Sequence, residues 1–293
     1  MIFLLFLVLL LVGALIGGGL LGALLPILKD SPVLMRANYR GESVPLAGGI
    51  PIAATLLIGF CLLQILWSVT DRSYFGANAV QTVYMAVFVV LVVTLFGLLD
   101  DAVGTAAAKG LRGHLRALKS GQLTTGLLKL AAGAVAGLIA ASQAEESVLW
   151  IVVGAVCIAA WANVGNLFDL GPGRCIKVCW PISATLTLVF LDSLVPLALV
   201  LGAVLGVLGS DLKEKVMLGD TGANPLGALV GVCFLATGNH AVVVGGCLVG
   251  LVLNLAAEKV SFSRIIVSNS LLLRLDSLGA TEARRVYLRT PRQ

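Results

Sequence analysis

The stretch "QTVYMAVFVVLVVTLFGLLDDAVG", residues 81–104, decides how this chain folds. From Val83 to Leu99 it carries no charge, and it then runs into two adjacent carboxylates, Asp100 and Asp101. A helix needs about 20 apolar residues to cross a hydrocarbon core, and this run supplies them. Two neighbouring anions at its end repel one another and resist desolvation, so they mark an aqueous boundary and a place where something is held.

Outward from this run the same texture continues. The chain has 293 residues, 59% apolar and 12% charged, with mean hydropathy +1.03. A soluble domain carries roughly 25% charged residues, so the solvent of this chain is a bilayer. The formal net charge of +5 then reads as basic loops beside anionic lipid, with no nucleic-acid partner expected. Nine apolar runs can serve as spans, at about 3–28, 45–67, 80–99, 123–141, 148–168, 178–191, 194–209, 225–238 and 241–257. The expected fold is an all-α, polytopic membrane helix bundle of about nine transmembrane helices. It comprises a membrane domain over 1–257 and a basic, amphipathic tail over 258–293. The first run has no basic n-region and no small-residue cleavage site, and it is expected to be retained as a span. Four of the six cysteines lie inside apolar runs, where Cys behaves as a small hydrophobe. Cys175 and Cys179 could share a helix face, but no second Cys or His pair accompanies them as a metal site requires.

Charge sets the expected orientation. The segments 29–44, 100–122, 169–177, 210–224 and 258–293 hold eighteen of the twenty Lys and Arg residues. The positive-inside bias therefore puts the N-terminus outside and the tail in the cytoplasm. In "TAAAKGLRGHLRALKSG", residues 105–121, Leu111, Leu115 and Leu118 fall on one helical face. Lys109, Arg112, Arg116 and Lys119 surround them, a pattern suited to the headgroup layer and able to collect a lipid phosphate.

Three polar clusters fall on that same basic side. Asp100 and Asp101 end the third run, and "NVGNLFDLGPG" places Asn163, Asn166 and Asp169 three residues apart at the end of the fifth. "MLGDTGANPLG" places Asp220, Thr221, Gly222 and Asn224 before the eighth. Asn163, Asn166 and Asp169 share a helix face. Carboxylates with amide oxygens suit Mg²⁺, which completes its shell with water and substrate phosphate. The Gly219–Gly222 turn can turn backbone N–H groups toward an anion. Lys129, inside the fourth run, is costly in a membrane unless an acidic or phosphate partner satisfies it. For Asp211 or Glu214 alone, capping or pairing with lysine in the headgroup zone is a sufficient account.

These motifs resemble those of the polyprenyl-phosphate N-acetylhexosamine-1-phosphate transferases, the family that includes phospho-N-acetylmuramoyl-pentapeptide transferase. "GLLDDAVG" is similar to the family's Asp-Asp motif, "NVGNLFDLGPG" to its Asn-x-x-Asn-x-x-Asp loop and "MLGDTGANPLG" to its Gly-Asp-x-Gly loop. "YRGESVPLAGGIPI" resembles the entry to its second span, and Lys129 matches a family lysine. The resemblance covers about residues 30 to 260. It implies a membrane enzyme of envelope glycan synthesis, with its site facing the cytoplasm. Such an enzyme transfers a sugar 1-phosphate from a UDP-sugar to polyprenyl (undecaprenyl) phosphate, releasing UMP, with Mg²⁺; a homodimer is the candidate assembly. It further implies Asp220 as metal ligand, with Asp100 and Asp101 orienting or deprotonating the lipid phosphate. Asp169 and Asn166 would border metal and nucleotide, with Asn163, Lys129, Thr221, Gly222, Asn224 and Lys109 on the substrate side.

Three features depart from the family. Pro172 stands where a second loop Asp is common, the His-rich last cytoplasmic loop is missing, and there is no tenth span. These departures point away from the muramoyl-pentapeptide donor. Two other classes compete. A secondary transporter would carry ionisable sites near midplane, whereas these spans are nearly charge-free apart from Lys129. A non-catalytic relative acting as a lipid-binding or assembly partner would be expected to lose a motif Asp, and all four are present.

Overall fold

The structure is a computed structural model that describes residues 1–70, 76–104 and 110–289. The expected amphipathic segment at 105–121 is described from Gly110 onward, where it forms a helix, and Lys109 lies outside the described residues. In chain order the helices are α1 (Ile2–Lys29), α2 (Ile50–Val69), α3 (Ala77–Val103), α4 (Gly110–Lys119), α5 (Thr125–Ala144), α6 (Val148–Phe168) and α7 (Arg174–Val189). They continue with α8 (Leu191–Leu194), α9 (Ala198–Leu212), α10 (Asp220–Leu235), α11 (His240–Ala257), α12 (Phe262–Ser268), α13 (Ser270–Asp276) and α14 (Glu282–Arg289). Among the described residues seven helical segments are long and apolar enough to cross a membrane: α1, α2, α3, α5, α6, the continuous Leu191–Leu212 segment and α11. The chain is a helical, membrane-embedded protein.

Two details differ from expectation. The loop after α1 contains a short antiparallel ribbon, β1 (Met35–Ala37) against β2 (Ser43–Pro45), with Arg36 opposite Val44. Its turn is closed by Asn38, whose side chain accepts from the backbone N–H of Arg40 and Glu42 at 2.8 and 3.0 Å. The second difference is where the two short spans begin. The sixth starts at Arg174 and the eighth at Asp220, so both polar lead-ins are the first turns of helices rather than loops. In each case an acidic side chain from elsewhere caps the helix, which no local pattern reveals. At 16 residues, α7 and α10 are each about 24 Å long, short of a hydrocarbon core of about 30 Å.

Helix packing runs on small residues, as it must where lipid gives helices no hydrophobic drive to associate. Between α1 and α9 a Cβ on Gly13 would lie 1.9 Å from the Leu199 carbonyl oxygen, and one on Gly202 2.0 Å from that of Leu10. α10 sits at the centre, buried along nearly its whole length between α3 and α6. A Cβ on Gly165 would meet the Ala223 carbonyl oxygen at 2.1 Å, so α6 and α10 touch backbone to backbone.

The five segments rich in Lys and Arg meet at one end of the bundle. Met217 N–H donates to the Pro45 carbonyl at 2.9 Å and Gly48 N–H to that of Met217 at 3.0 Å, joining the ribbon to the lead-in of α10. The Glu214 carboxylate accepts from Asn38 Nδ2 (2.9 Å), Tyr39 Oη (2.7 Å) and Arg40 Nη2 (2.8 Å). The tail folds back onto this end. Asp276 of α13 takes a bidentate pair from Arg174 at 2.8 and 3.0 Å, with Arg284 of α14 at 3.4 Å and all three residues buried. Burial pushes the Asp276 carboxyl up, but its bonds to Arg174 and the charges of Arg174, Arg284 and Lys177 outweigh it and hold the group below the usual carboxylate range.

Candidate active site

The site begins in the last turn of α3. Asp100 and Asp101 are consecutive and so leave the helix in different directions, which gives them different neighbours. Asp100 turns toward α5, where it takes the Thr125 hydroxyl on one oxygen and Lys129 Nζ on the other at 3.1 Å. Thr125 and Lys129 are four residues apart and therefore share a face of α5. The same ammonium reaches Asp220 Oδ2 at 2.5 Å. A lysine expected to need an acidic partner has two, and the three side chains are only 13–19% exposed. One ammonium thus serves two carboxylates, which leaves the trio one negative charge in excess in a setting where unmatched charge is costly.

Asp101 turns the other way and is buried. Its Oδ1 accepts the backbone N–H of Asp220 at 3.0 Å, and its Oδ2 accepts the Thr221 N–H at 2.9 Å and the Thr221 hydroxyl at 2.5 Å. It is the N-terminal cap of α10, supplied from α3. The anion that the Gly219–Gly222 segment addresses is therefore a residue of the protein itself. Gly219, with φ 63°, is the residue that permits this, because a Cβ there would lie 2.5 Å from Asp101 Oδ2.

A cleft of about 650 Å³ opens over this centre. Asp100, Lys129 and Asp220 line one part of it, and Asn163, Asn166 and Asn254 another. Other expected site residues lie elsewhere. Thr221 and Asn224 are buried, Thr221 on Asp101 and Asn224 donating to the Asp220 carbonyl at 3.1 Å. Gly222 packs against Gly49, where a Cβ on Gly222 would lie 2.8 Å from the Gly49 Cα. These three serve the α10 entry rather than the cleft wall. Asp169, just past α6, lines a second cavity of about 370 Å³ together with Asp211, Glu214 and Tyr39. Burial, then the nearby charges of Asp211, Asp220 and Asp101, push its carboxyl well above the usual range, against one bond from the Gly219 backbone. Asp211 is the cap of α7, accepting the Gly173 N–H at 2.7 Å.

Sequence reasoning missed four contributors. Thr125 had a signal, its four-residue spacing from Lys129. Asn254 had one too, an amide inside an apolar run, four residues before Glu258, which also lines the cleft. Thr124 caps α5 by accepting the Leu127 N–H at 3.2 Å, and Arg36 Nη2 donates to the Asp101 carbonyl at 2.9 Å. Nothing local announces the last of these.

No protein-family model matches the chain, and no curated protein matches it. Among the described residues no group of three or more His, Cys, Asp and Glu side chains is gathered to hold a metal. Mg²⁺ does not need one, since it is commonly bound by one or two carboxylates with water and substrate phosphate. The cleft offers that donor set, all oxygen: Asp220, Asp100 and the amides of Asn163 and Asn166.

Proposed function

We propose that this protein transfers a sugar 1-phosphate, of the N-acetylhexosamine type, from a UDP-sugar to polyprenyl phosphate and releases UMP. The observation that carries this reading is Lys129 bridging Asp100 and Asp220 in a polar cleft at the end of an apolar bundle. A lipid phosphate can reach such a cleft from the bilayer and a nucleotide from water, which is what a reaction between the two requires. In the proposed reaction an oxygen of the lipid phosphate attacks the sugar-bearing phosphorus. A new P–O bond forms, the bond to the bridging diphosphate oxygen breaks, and UMP leaves with that oxygen.

In this reading Asp220, with Asp100, holds Mg²⁺, which when bound neutralises charge on the diphosphate. Lys129 adds a fixed positive charge beside the phosphates and keeps the two carboxylates from repelling one another. Thr125 fixes the Asp100 carboxylate by holding one of its oxygens. Asp101 orients α10, and through it Asp220; a proton-accepting role suits it poorly, because both its oxygens are taken by α10. Asp169 acts through Gly219 in the same way. The two 16-residue helices, α7 and α10, are read as the sixth and eighth of nine spans, with the N-terminus outside and the cleft in the cytoplasm. The placing of the polar centre at one end favours chemistry at a membrane face over transport through a midplane site.

The test is UMP release by the purified protein in detergent, given a panel of UDP-sugars, with and without polyprenyl phosphate, in Mg²⁺ and in EDTA. Release that needs both lipid phosphate and Mg²⁺ is expected. No release with any donor overturns the reading.

A further inference from the structure

The ammonium of Lys129 occupies the oxygens that a divalent cation in this cleft would need. It takes Oδ2 of Asp100 at 3.1 Å and Oδ2 of Asp220 at 2.5 Å. The second oxygen of Asp100 is held by the Thr125 hydroxyl, and both oxygens of Asp101 are spent on α10. The edge that Asp100 can offer a cation is therefore the edge the ammonium already covers. Charge gives this overlap a direction. Two carboxylates and one ammonium carry one negative charge in excess, which repels a diphosphate. A divalent cation added to the same three groups reverses the sign and attracts one.

We propose that Lys129 is a tethered counter-ion, which yields both carboxylates to an incoming divalent cation and turns its own charge to the phosphates of the donor, so that the cation loads before the nucleotide. The side chain suits this exchange. Its charge is compact and sits on a flexible four-carbon stem, so it can move while α5 stays in place. The cleft of about 650 Å³ that it lines gives it somewhere to go. Sharing the oxygens is disfavoured, because two cations on one carboxylate edge repel strongly where water screens little. Mg²⁺ also draws its oxygens in to about 2.1 Å, closer than the ammonium stands to either carboxylate. Screening the carboxylates and facing the phosphates are then successive duties of one side chain. A lysine that merely held the carboxylates in place for a metal would have the opposite effect on metal affinity. This inference rests on the transferase reading and adds to it the order in which the site fills.

The experiment titrates Mg²⁺ alone, without nucleotide, into the purified protein in detergent and reads binding by calorimetry for wild type, Lys129→Met and Lys129→Gln. Both variants are expected to bind Mg²⁺ about tenfold more tightly than wild type, on the scale of a hydrogen bond to a charged group. Their Mg²⁺-loaded forms are expected to bind UDP about tenfold more weakly, for the same reason. General loss of structure would weaken both kinds of binding. Where neither variant folds, labelling of the wild type decides. The protein is pulsed with an amine-reactive ester, and Lys129 is read by peptide mass spectrometry against the exposed Lys119. Mg²⁺ is expected to raise labelling of Lys129 several-fold and to leave Lys119 unchanged. Equal or weaker Mg²⁺ binding by a folded variant, wild-type Mg²⁺ binding that needs UDP first, or Lys129 labelling unmoved by Mg²⁺ overturns the inference and leaves the transferase reading standing. No Mg²⁺ binding by any of the three proteins, with or without UDP, together with no UMP release by wild type, overturns both.

Discussion

Lys129 is the residue on which the centre turns, because removing it leaves two carboxylates facing one another with little water. Losing one partner of a buried pair costs about 3–5 kcal/mol. Lys129→Met is therefore expected to lower the unfolding midpoint in detergent and to abolish UMP release, while Lys129→Arg restores the midpoint in part. Asp101 and Asp220 separate by a different pair of measurements. Asp101→Ala strands two N–H groups of α10 and the Thr221 hydroxyl, at about 1–2 kcal/mol for a lost cap, and should lower stability and activity together. Asp220→Asn keeps the cap and should leave the unfolding midpoint within a few degrees of wild type. Its expected defect is at least a tenfold weaker Mg²⁺-dependent binding of UDP-sugar, read by calorimetry with Mg²⁺ and with EDTA. Unimpaired binding by Asp220→Asn would remove Asp220 from the metal. Adjacent carboxylates were legible in the sequence as something held. That the two are held by different things was not, since Asp101 finds its partners 119 and 120 residues away.

Among the elements, the tail helices α12–α14 carry the clearest dependence on pH. Asp276 has its carboxyl depressed in the folded protein, so its contribution is present above the ordinary carboxylate pKa of about 4 and fades as pH falls through the lower folded value. Tyr39 shifts in the opposite direction. Burial, then its hydrogen bond to Glu214, pushes the phenol up to about 12, so its contribution is complete below the ordinary value of about 10 and is lost as pH rises from there to about 12. Arg284 also lies over the Tyr39 ring at 4.3 Å, tying α14 to the ribbon turn. Protection of amides 262–289 from hydrogen exchange, corrected for intrinsic rates, is expected to be level between about pH 5 and 9 and to fall outside that window. Asp276→Asn should lower it throughout. Protection that drops between pH 6 and 8 would show that some other group governs the docking. The sequence marks 258–293 as a basic, amphipathic tail, and Leu271, Leu275 and Leu278 are indeed exposed. The clasp was invisible because Arg174 and Asp276 each look like one more solvated charge until they are brought together.

At the scale of the molecule, the apolar runs were readable because a bilayer imposes length and composition on every helix that crosses it. Their polar starts were misplaced wherever a distant carboxylate does the capping, Asp211 for α7 and Asp101 for α10. The polar centre was legible as far as Asp100, Lys129 and Asp220, whose charges are conspicuous against an apolar background. Thr221, Gly222 and Asn224 looked like ligand residues for the same reason, since a buried cap and a cleft wall draw on the same small polar side chains. Sidedness has its own test. In a cysteine-free background, single cysteines at Ser120 and Lys215 should resist an impermeant thiol reagent in intact cells, and those at Glu146 and Asn239 should react. Labelling of Ser120→Cys or Lys215→Cys before lysis would reverse the orientation.

α10 has one further consequence, for how the protein is made. It is short for a membrane, it is enclosed on nearly all sides, and its first turn is completed by a side chain synthesised more than a hundred residues earlier. A helix of this kind gains little by partitioning into lipid alone during synthesis. Its insertion must wait for α3 and α6 to be in place, so the carboxylate and the ammonium of the centre are brought together late. A chain truncated before α10, or one in which Gly165 is enlarged, or Gly97, where a Cβ would lie 2.4 Å from the Asp220 carbonyl oxygen, would fill the membrane with apolar helices and have no centre at all.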